Sequence, residues 1–97
     1  MGDIFMDINQ AEKFLKVLAN RRRLKIIKYL SGGKKASVSE LAEHLKLSFK
    51  STSKHLLILK SADIVDGEQV SLARFYYLTQ SLDSLLKSLA VLSNSRE

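Results

Sequence analysis

Apolar residues recur at helical spacing near the start of the chain. The intervals are three, four and three residues, which places these side chains on one face of a helix, and Phe14 widens the stripe. Asp7 is a suitable N-cap, so the pattern predicts a first helix over about residues 7–18. The residues of the stripe are Ile8, Ala11, Leu15 and Leu18.

A second helix is predicted after Asn20. It is expected to end at Gly32-Gly33, because glycine readily adopts the left-handed conformation that follows many helices. Its arginines and lysines would face outward. Its inward positions are predicted to be Leu24, Ile27, Tyr29 and Leu30.

Residues 38–60 have the pattern of two short helices joined by a tight turn. Ser37 and Glu40 fit a capping box, and apolar residues follow at positions i, i+3, i+4 and i+7 from Val38. Ser48 is a suitable N-cap for the second helix, and about three residues separate the two. This arrangement is typical of a helix-turn-helix. The inward positions of the second helix are predicted to be Thr52, Leu56 and Leu59.

The composition changes between residues 64 and 78, where β-branched and aromatic residues surround a polar middle. This pattern predicts a two-stranded ribbon, with strands at about 64–69 and 73–78. Leucines then recur at alternating intervals of four and three, as in a heptad seam, and predict a helix over about 79–93. These leucines are Leu78, Leu82, Leu85, Leu89 and Leu92.

The fold class expected from these elements is mainly α with a small β-ribbon. The 97 residues correspond to a single domain, 1–97, and no linker or repeat divides them. No stretch approaches the ~20 apolar residues that span a bilayer, and the acidic start is not typical of a signal peptide. We therefore expect a soluble, cytoplasmic protein with no membrane partner.

The sequence offers no set of residues for catalysis. It has no cysteine, no glycine-rich phosphate loop, no paired carboxylates in an apolar setting and no nucleophile beside a base. No catalytic residue, metal site or cofactor is predicted, and the protein is expected not to be an enzyme.

Positive charge is concentrated in the middle of the chain. The net charge is +6, and residues 21–35 contain seven cations and no acid. A local charge of this size suits a polyanionic partner such as nucleic acid. The seven cations are Arg21, Arg22, Arg23, Lys25, Lys28, Lys34 and Lys35.

The second helix of the helix-turn-helix carries the candidate chemistry for reading DNA. With its apolar side facing the core, Lys50, Lys54 and Leu57 point away, and Ser51 and Ser53 lie to either side. Lysine can donate to guanine O6 and N7, and serine can pair with several bases in the major groove. The alternative is a solvated lysine face without a partner.

Two further groups of basic residues have competing interpretations. Three consecutive arginines span 200° of a helix, so they cannot all contact phosphate, and one could instead pair with Asp3, Asp7 or Glu12. His55 has no second ligand nearby, which favours a packed, hydrogen-bonded or phosphate-binding histidine over a metal ligand.

Four segments, in this order and at this spacing, resemble the ArsR-type winged helix-turn-helix regulators of bacteria and archaea. They are residues 18–24 (LANRRRL), 38–43 (VSELAE), 53–59 (SKHLLIL) and 75–78 (FYYL). The resemblance extends over about residues 9–92. It implies a wing over about 64–78 and a homodimer built from the first and last helices, bound to a palindromic operator on double-stranded DNA.

The sequence departs from the family pattern at several positions. Serines stand at Ser37 and Ser39, where metal-sensing members carry cysteines, and the last helix has Asp83 but no histidine. Lys46 occupies a turn position that is usually glycine, which predicts a left-handed conformation there. The family's wing is usually basic, but here Asp66 and Glu68 lie on the first strand, the tip is uncharged and Arg74 is the one nearby cation, so a minor-groove grip by the wing is not predicted.

These observations predict a homodimeric transcriptional repressor that does not respond to metals, with an effector that the sequence leaves open. The alternative is a winged-helix module for protein–protein assembly, which the exposed Leu57 would suit. The predicted DNA contacts are Ser48, Lys50, Ser51, Ser53, Lys54, His55, Arg22 and Arg74. The predicted dimer contacts are Ile8, Ala11, Leu15, Leu82, Leu85, Leu89 and Leu92.

Overall fold

The computed structural model describes residues 7–84, 86 and 87. Residues 81–84, 86 and 87 are helical, at the start of the predicted last helix. Leu85, Leu89 and Leu92, three leucines of the predicted seam, lie outside the described residues. In chain order the elements are α1 (Ile8–Leu18), α2 (Arg21–Leu30), β1 (Ala36–Ser37), α3 (Val38–Leu45), α4 (Phe49–Ser61), β2 (Val65–Val70) and β3 (Ala73–Leu78).

Side-chain caps begin all four of these helices. The Asp7 carboxylate accepts from the backbone N–H of Gln10 at 2.8 Å, and the Gln10 side chain accepts in return from the backbone N–H of Asp7. In the other three helices, the side chains of Asn20, Ser37 and Ser48 each accept from the backbone N–H three residues further along. Because each cap satisfies a backbone donor that has no partner inside the helix, the sequence fixes where these helices start.

The core lies where α2, α3 and α4 pack against the sheet. The inward positions predicted for α4 are confirmed, since Thr52, Leu56 and Leu59 are all 1% exposed or less. Thr52 is a buried polar residue, and its hydroxyl donates to the backbone carbonyl of Ser48 at 2.9 Å. The apolar core residues are Phe14, Ile26, Leu30, Ala36, Leu41, Leu56, Leu59, Ile64 and Val65.

The orientation predicted for α2 is wrong at Leu24. This side chain is 50% exposed, whereas Ile26 is completely buried. The inner face of α2 contains Arg23, whose guanidinium donates to the carbonyl of Val17 at the end of α1. The apolar pattern predicted that all arginines of α2 face outward. Because Arg23 lies on the inner face instead, the predicted inner face of α2 included Leu24, which is exposed.

The ribbon is part of a three-stranded sheet. Strands β2 and β3 pair antiparallel, with Val65 opposite Leu78 and Val70 opposite Ala73. The short strand β1 adds to the other edge of β3, which gives the order β1-β3-β2. The prediction of two strands missed β1, because a strand of two residues is too short to show an alternating pattern.

Lys46 ends α3 in the left-handed conformation, with φ 58° and ψ 44°, as predicted. A side chain in this region crowds the following carbonyl, and glycine avoids the clash. We expect Lys46→Gly to raise the free energy of unfolding by about 0.5–1 kcal/mol, measured by urea denaturation. Lys28→Gly, inside α2, is the matched control and is expected to lower it by about 1 kcal/mol. Equal losses in the two variants would contradict a strained turn.

Candidate nucleic-acid interface

The outward face of α4 is polar and open to solvent. Lys50 and Lys54 are exposed, Ser51 and Ser53 are partly exposed, and Leu57 is 65% exposed. The opposite face of the same helix is anchored in the core by its three buried side chains. The helix thus presents four donors, two ammonium groups and two hydroxyls, from a rigid support, which is the arrangement that reading a major groove requires.

The N-terminus of α4 adds a further polar group to this face. The Ser48 hydroxyl oxygen accepts from the backbone N–H of Ser51 at 3.0 Å, and its own proton remains available to donate. Helix N-termini favour anions because the helix dipole and free N–H groups point outward. Phe49 follows and is 59% exposed, so an apolar ring stands beside the cap.

A groove separates α4, the second helix of the helix-turn-helix, from the wing formed by β2 and β3. Its walls include Ser39 at the start of α3, Phe49 of α4 and, on the wing, Leu72 and Arg74. Leu72 is 98% exposed at the tip between β2 and β3. The groove therefore brings Arg74, the one cation predicted for the wing, close to the N-terminal end of α4.

Arg74 lies across the ribbon. Its guanidinium donates to the carbonyl of Gly67 at 3.3 Å and lies 5.8 Å from the centre of the Tyr76 ring. A Cβ on residue 67 would come within 2.8 Å of the Arg74 Nε, so glycine at this position makes room for the arginine.

The two acids of the wing are paired with lysines of the same chain. Asp66 lies 3.9 Å from the Lys60 ammonium, and Glu68 pairs with Lys35. Both pairs are exposed, so they contribute little stability. They do reduce the negative charge that the sequence alone placed on the wing.

Arg23 connects α1, α2 and α4, a role that the sequence analysis did not assign. Its Nε donates to the Val17 carbonyl at 2.6 Å, and its Nη1 lies 3.3 Å from Nδ1 of His55. Guanidinium can only donate, so His55 Nδ1 is the acceptor and is unprotonated. A half-buried arginine that satisfies a helix C-terminus leaves no periodic signal, and for that reason hydropathy did not reveal it.

The bond to Arg23 gives His55 a structural role, one of the alternatives that the sequence left open. Burial, followed by the positive charges of Arg23, Arg22 and Lys54, lowers the pKa of His55 below its ordinary 6.5.

The lowered pKa of His55 predicts that acid destabilises the fold. As pH falls, His55 of the unfolded chain takes up a proton near pH 6.5, whereas His55 of the folded chain does so only at a lower pH. The contribution of His55 to the free energy of unfolding is therefore fully present above pH 6.5 and is lost as pH falls through the folded pKa. We expect the free energy of unfolding to fall between pH 7 and 5, and His55→Gln to show a smaller fall. His44→Gln, at a histidine whose ring instead packs on Tyr29 at 4.4 Å, is the matched control for replacing a histidine by glutamine. The same acid sensitivity in His55→Gln as in the wild type would contradict this assignment.

The predicted DNA contacts lie on α4 and on elements that adjoin it. Ser48, Lys50, Ser51, Ser53 and Lys54 are on the open side of α4 or at its cap, with Arg22 and His55 towards α2 and Arg74 across the groove. Arg22 itself is exposed beside the turn between α3 and α4.

The predicted dimer contacts divide into exposed and packed residues. Ile8 is 73% exposed and Leu15 is 49% exposed, whereas Ala11 is buried at the floor of the shallow groove between them. Leu82 packs against the core of its own chain. The exposed apolar positions that α1 offers to another surface are therefore Ile8 and Leu15.

Ser37 and Ser39 stand where metal-sensing relatives would carry cysteines. The Ser37 hydroxyl accepts from the Glu40 backbone N–H at 3.1 Å and so caps α3. The reciprocal half of the predicted capping box is replaced, because the Glu40 carboxylate accepts from the Tyr29 hydroxyl. No group of three or more potential metal ligands occurs among the described residues, and no helix in that part of the chain is long and apolar enough to cross a membrane.

The profile of the bacterial regulatory proteins of the arsR family matches residues 20–66, which extend from the N-cap of α2 to the start of the ribbon. Solved structures extend the similarity over most of the chain. HlyU from Vibrio cholerae N16961 is 32% identical, with a TM-score of 0.71, over 90% of this chain and 97% of that one. The chain belongs to the arsR family. This confirms the resemblance and the expectation of a regulatory protein that is not an enzyme.

Two other solved structures support the fold. NolR from Sinorhizobium fredii is 30% identical, with a TM-score of 0.72, over 88% of this chain and 82% of that one. A winged helix-turn-helix domain of Mb0332 from Mycobacterium bovis, described as homodimeric and DNA-binding, is 24% identical, with a TM-score of 0.71, over 92% of this chain and 82% of that one. The winged helix-turn-helix class is therefore confirmed. A search of curated proteins gives no match.

Proposed function

We propose that this family member is a homodimeric repressor that binds a palindromic operator on double-stranded DNA through α4. The observation that carries the proposal is the open face of α4, where Lys50, Ser51 and Lys54 project from a helix whose other side is buried. The major groove admits one such helix, and the residues of its first turns reach the base edges.

Charge and shape support the same partner. Arg22 lies beside the turn that precedes α4, and Arg74 lies on the groove between α4 and the wing, where they can contact phosphates and fix the register of the helix. A symmetric dimer presents two such helices, and a palindrome mirrors this symmetry, with half-sites about 34–36 Å apart or a multiple of that distance. Bound at a promoter, the dimer would exclude the transcription machinery.

The test is selection of bound sequences from random duplex DNA, followed by salt titration of the selected site. We expect enrichment of one inverted repeat, and an affinity that falls linearly with salt on a logarithmic scale. Enrichment of single half-sites would overturn the dimeric reading, and no enrichment above the starting pool would overturn sequence-specific binding.

A protein–protein assembly module is the second candidate function. The observation that favours it is apolar exposure near the recognition face, at Phe49, Leu57 and Leu72. Two lysines interrupt this surface on α4, which would place charge within such an interface. Two results together would favour the assembly module over sequence-specific DNA binding. They are retention on DNA-cellulose that salt abolishes, and no enrichment of any sequence in the selection experiment.

We expect DNA binding to be insensitive to metal ions. Neutral serine hydroxyls are poor ligands for zinc and other thiophilic ions, and the Ser37 hydroxyl already caps α3. Operator affinity is expected to be the same with micromolar zinc, cadmium, arsenite or a chelator, measured by fluorescence anisotropy. A change of tenfold or more with any of these additions would contradict a metal-independent regulator.

A further inference from the structure

A second basic surface lies between the end of α2 and the end of α3. It is a half-open cleft of about 630 Å³, within the range of small-molecule sites. Four lysines and a histidine line it, and no acid of the described part of the chain does. These residues are Lys25, Lys28, Lys34, Lys46 and His44.

The four lysines of this cleft have no carboxylate partner among the described residues, and the same is true of Lys50 and Lys54 on α4. Lys16, Lys35 and Lys60 each pair with an acid. None of the four cleft lysines forms an ion pair with a carboxylate of residues 7–84, 86 or 87. Like charges gathered around one concave space repel each other, so an anion that enters the cleft is stabilised by all four.

The wall of the cleft is held in place before any ligand binds. The Tyr29 hydroxyl donates to Glu40 of α3, and the Tyr29 ring packs on His44 at 4.4 Å. The Lys34 ammonium lies 4.6 Å from the centre of the same ring. Tyr29 thus fixes both a cation and a histidine at the cleft, which lowers the entropic cost of binding.

The cleft and the groove beside the wing adjoin opposite ends of α3. Val38 and Ser39, at the start of α3, line the groove beside the wing, whereas His44 and Leu45, at its end, line the cleft. An eight-residue helix is about 12 Å long, so the two sites are separated by roughly that distance.

We propose that this cleft binds a small molecule through an oligophosphate group, such as an inorganic polyphosphate or a nucleoside triphosphate. Several ammonium groups around one space match a chain of phosphates, each of which carries negative charge and several acceptor oxygens. The inference does not depend on DNA binding, and its test contains no DNA in the first arm.

The experiment follows backbone amide shifts of the whole chain by NMR while sodium tripolyphosphate or ATP is added at physiological salt. We expect the largest shifts at Ser31, Lys34 and His44. Lys28→Ala and Lys34→Ala are each expected to weaken binding by about tenfold or more, the size of one lost charge-assisted hydrogen bond. Lys54→Ala, which removes an equal charge from α4, is the matched control and is expected to change it less than twofold.

Each outcome decides the proposal. Equal affinity for the two probes assigns recognition to the phosphates alone, and tighter binding of ATP assigns part of it to the nucleoside; both support an oligophosphate site. Equal weakening by Lys28→Ala and Lys54→Ala would overturn it in favour of nonspecific attraction. Absence of shifts at the cleft would overturn it too. A second arm measures the binding of duplex DNA. If Lys28→Ala weakens DNA binding and neither probe binds, the cleft is part of the DNA-binding surface instead.

Discussion

Replacing Ile8 and Leu15 together by glutamate is expected to convert a dimer into monomers. Both side chains are exposed on α1 in the single chain, so the substitutions leave its core intact. In a dimer formed through α1, they would bury carboxylates against apolar surface, which costs several kcal/mol per unpaired charge. Analytical ultracentrifugation at micromolar concentration is expected to give a dimer for the wild type and a monomer for the variant.

The same variant is expected to lose most of its operator affinity. Two linked domains gain about 10²- to 10⁴-fold over one, because the second binding step is intramolecular. A loss of at least about 100-fold is therefore expected, with single half-site binding retained. Lys13→Glu, which adds an acid about 140° around α1 from Ile8 and about 160° from Leu15, is the control. A monomeric wild type, or a variant that stays dimeric, would show that α1 is not part of the interface.

Lys50→Ala and Lys54→Ala are expected to reduce the preference for operator over random DNA. A side chain that pairs well with a base contributes about 1–3 kcal/mol of discrimination, or about 5- to 150-fold. Binding to random DNA is expected to fall much less. The measurement is fluorescence anisotropy with both duplexes over a range of salt concentrations.

Arg22→Ala provides the contrasting result. This arginine lies beside the turn before α4, where a phosphate contact would hold the protein without reading sequence. We expect it to weaken operator and random DNA equally and to reduce the salt slope by about one unit. Lys28→Ala, whose side chain lines the cleft and not the pocket beside Arg22, is expected to leave both unchanged. Unchanged specificity in both α4 variants would place recognition elsewhere and favour the assembly module.

The sequence determined the helices and the recognition face because local signals govern them. Asp7, Asn20, Ser37 and Ser48 each cap a helix, and a cap acts within three residues of its own position. The buried side of α4 followed from periodicity alone, and with it the exposure of Lys50 and Lys54. The left-handed Lys46 followed from the family resemblance, which implies glycine at this turn position.

The tertiary structure decided the features that depend on contacts between distant residues. Arg23 takes an inner position on α2 because the carbonyls at the end of α1 and the His55 ring come within reach only after folding. Strand β1 forms only because the free edge of β3 lies next to Ala36 and Ser37 in the folded chain and pairs with them.

The electrostatic surface also depended on folding. Glu68 and Asp66 looked like a negative wing, but lysines 33 and 6 residues away neutralise them once the sheet forms. The four unpaired lysines of the cleft come from α2, the loop after it and the end of α3, and only helix packing gathers them. The sequence specifies which side chains are charged, whereas the fold sets the distances between them. These distances matter because salt screens interactions between exposed charges beyond about 10 Å.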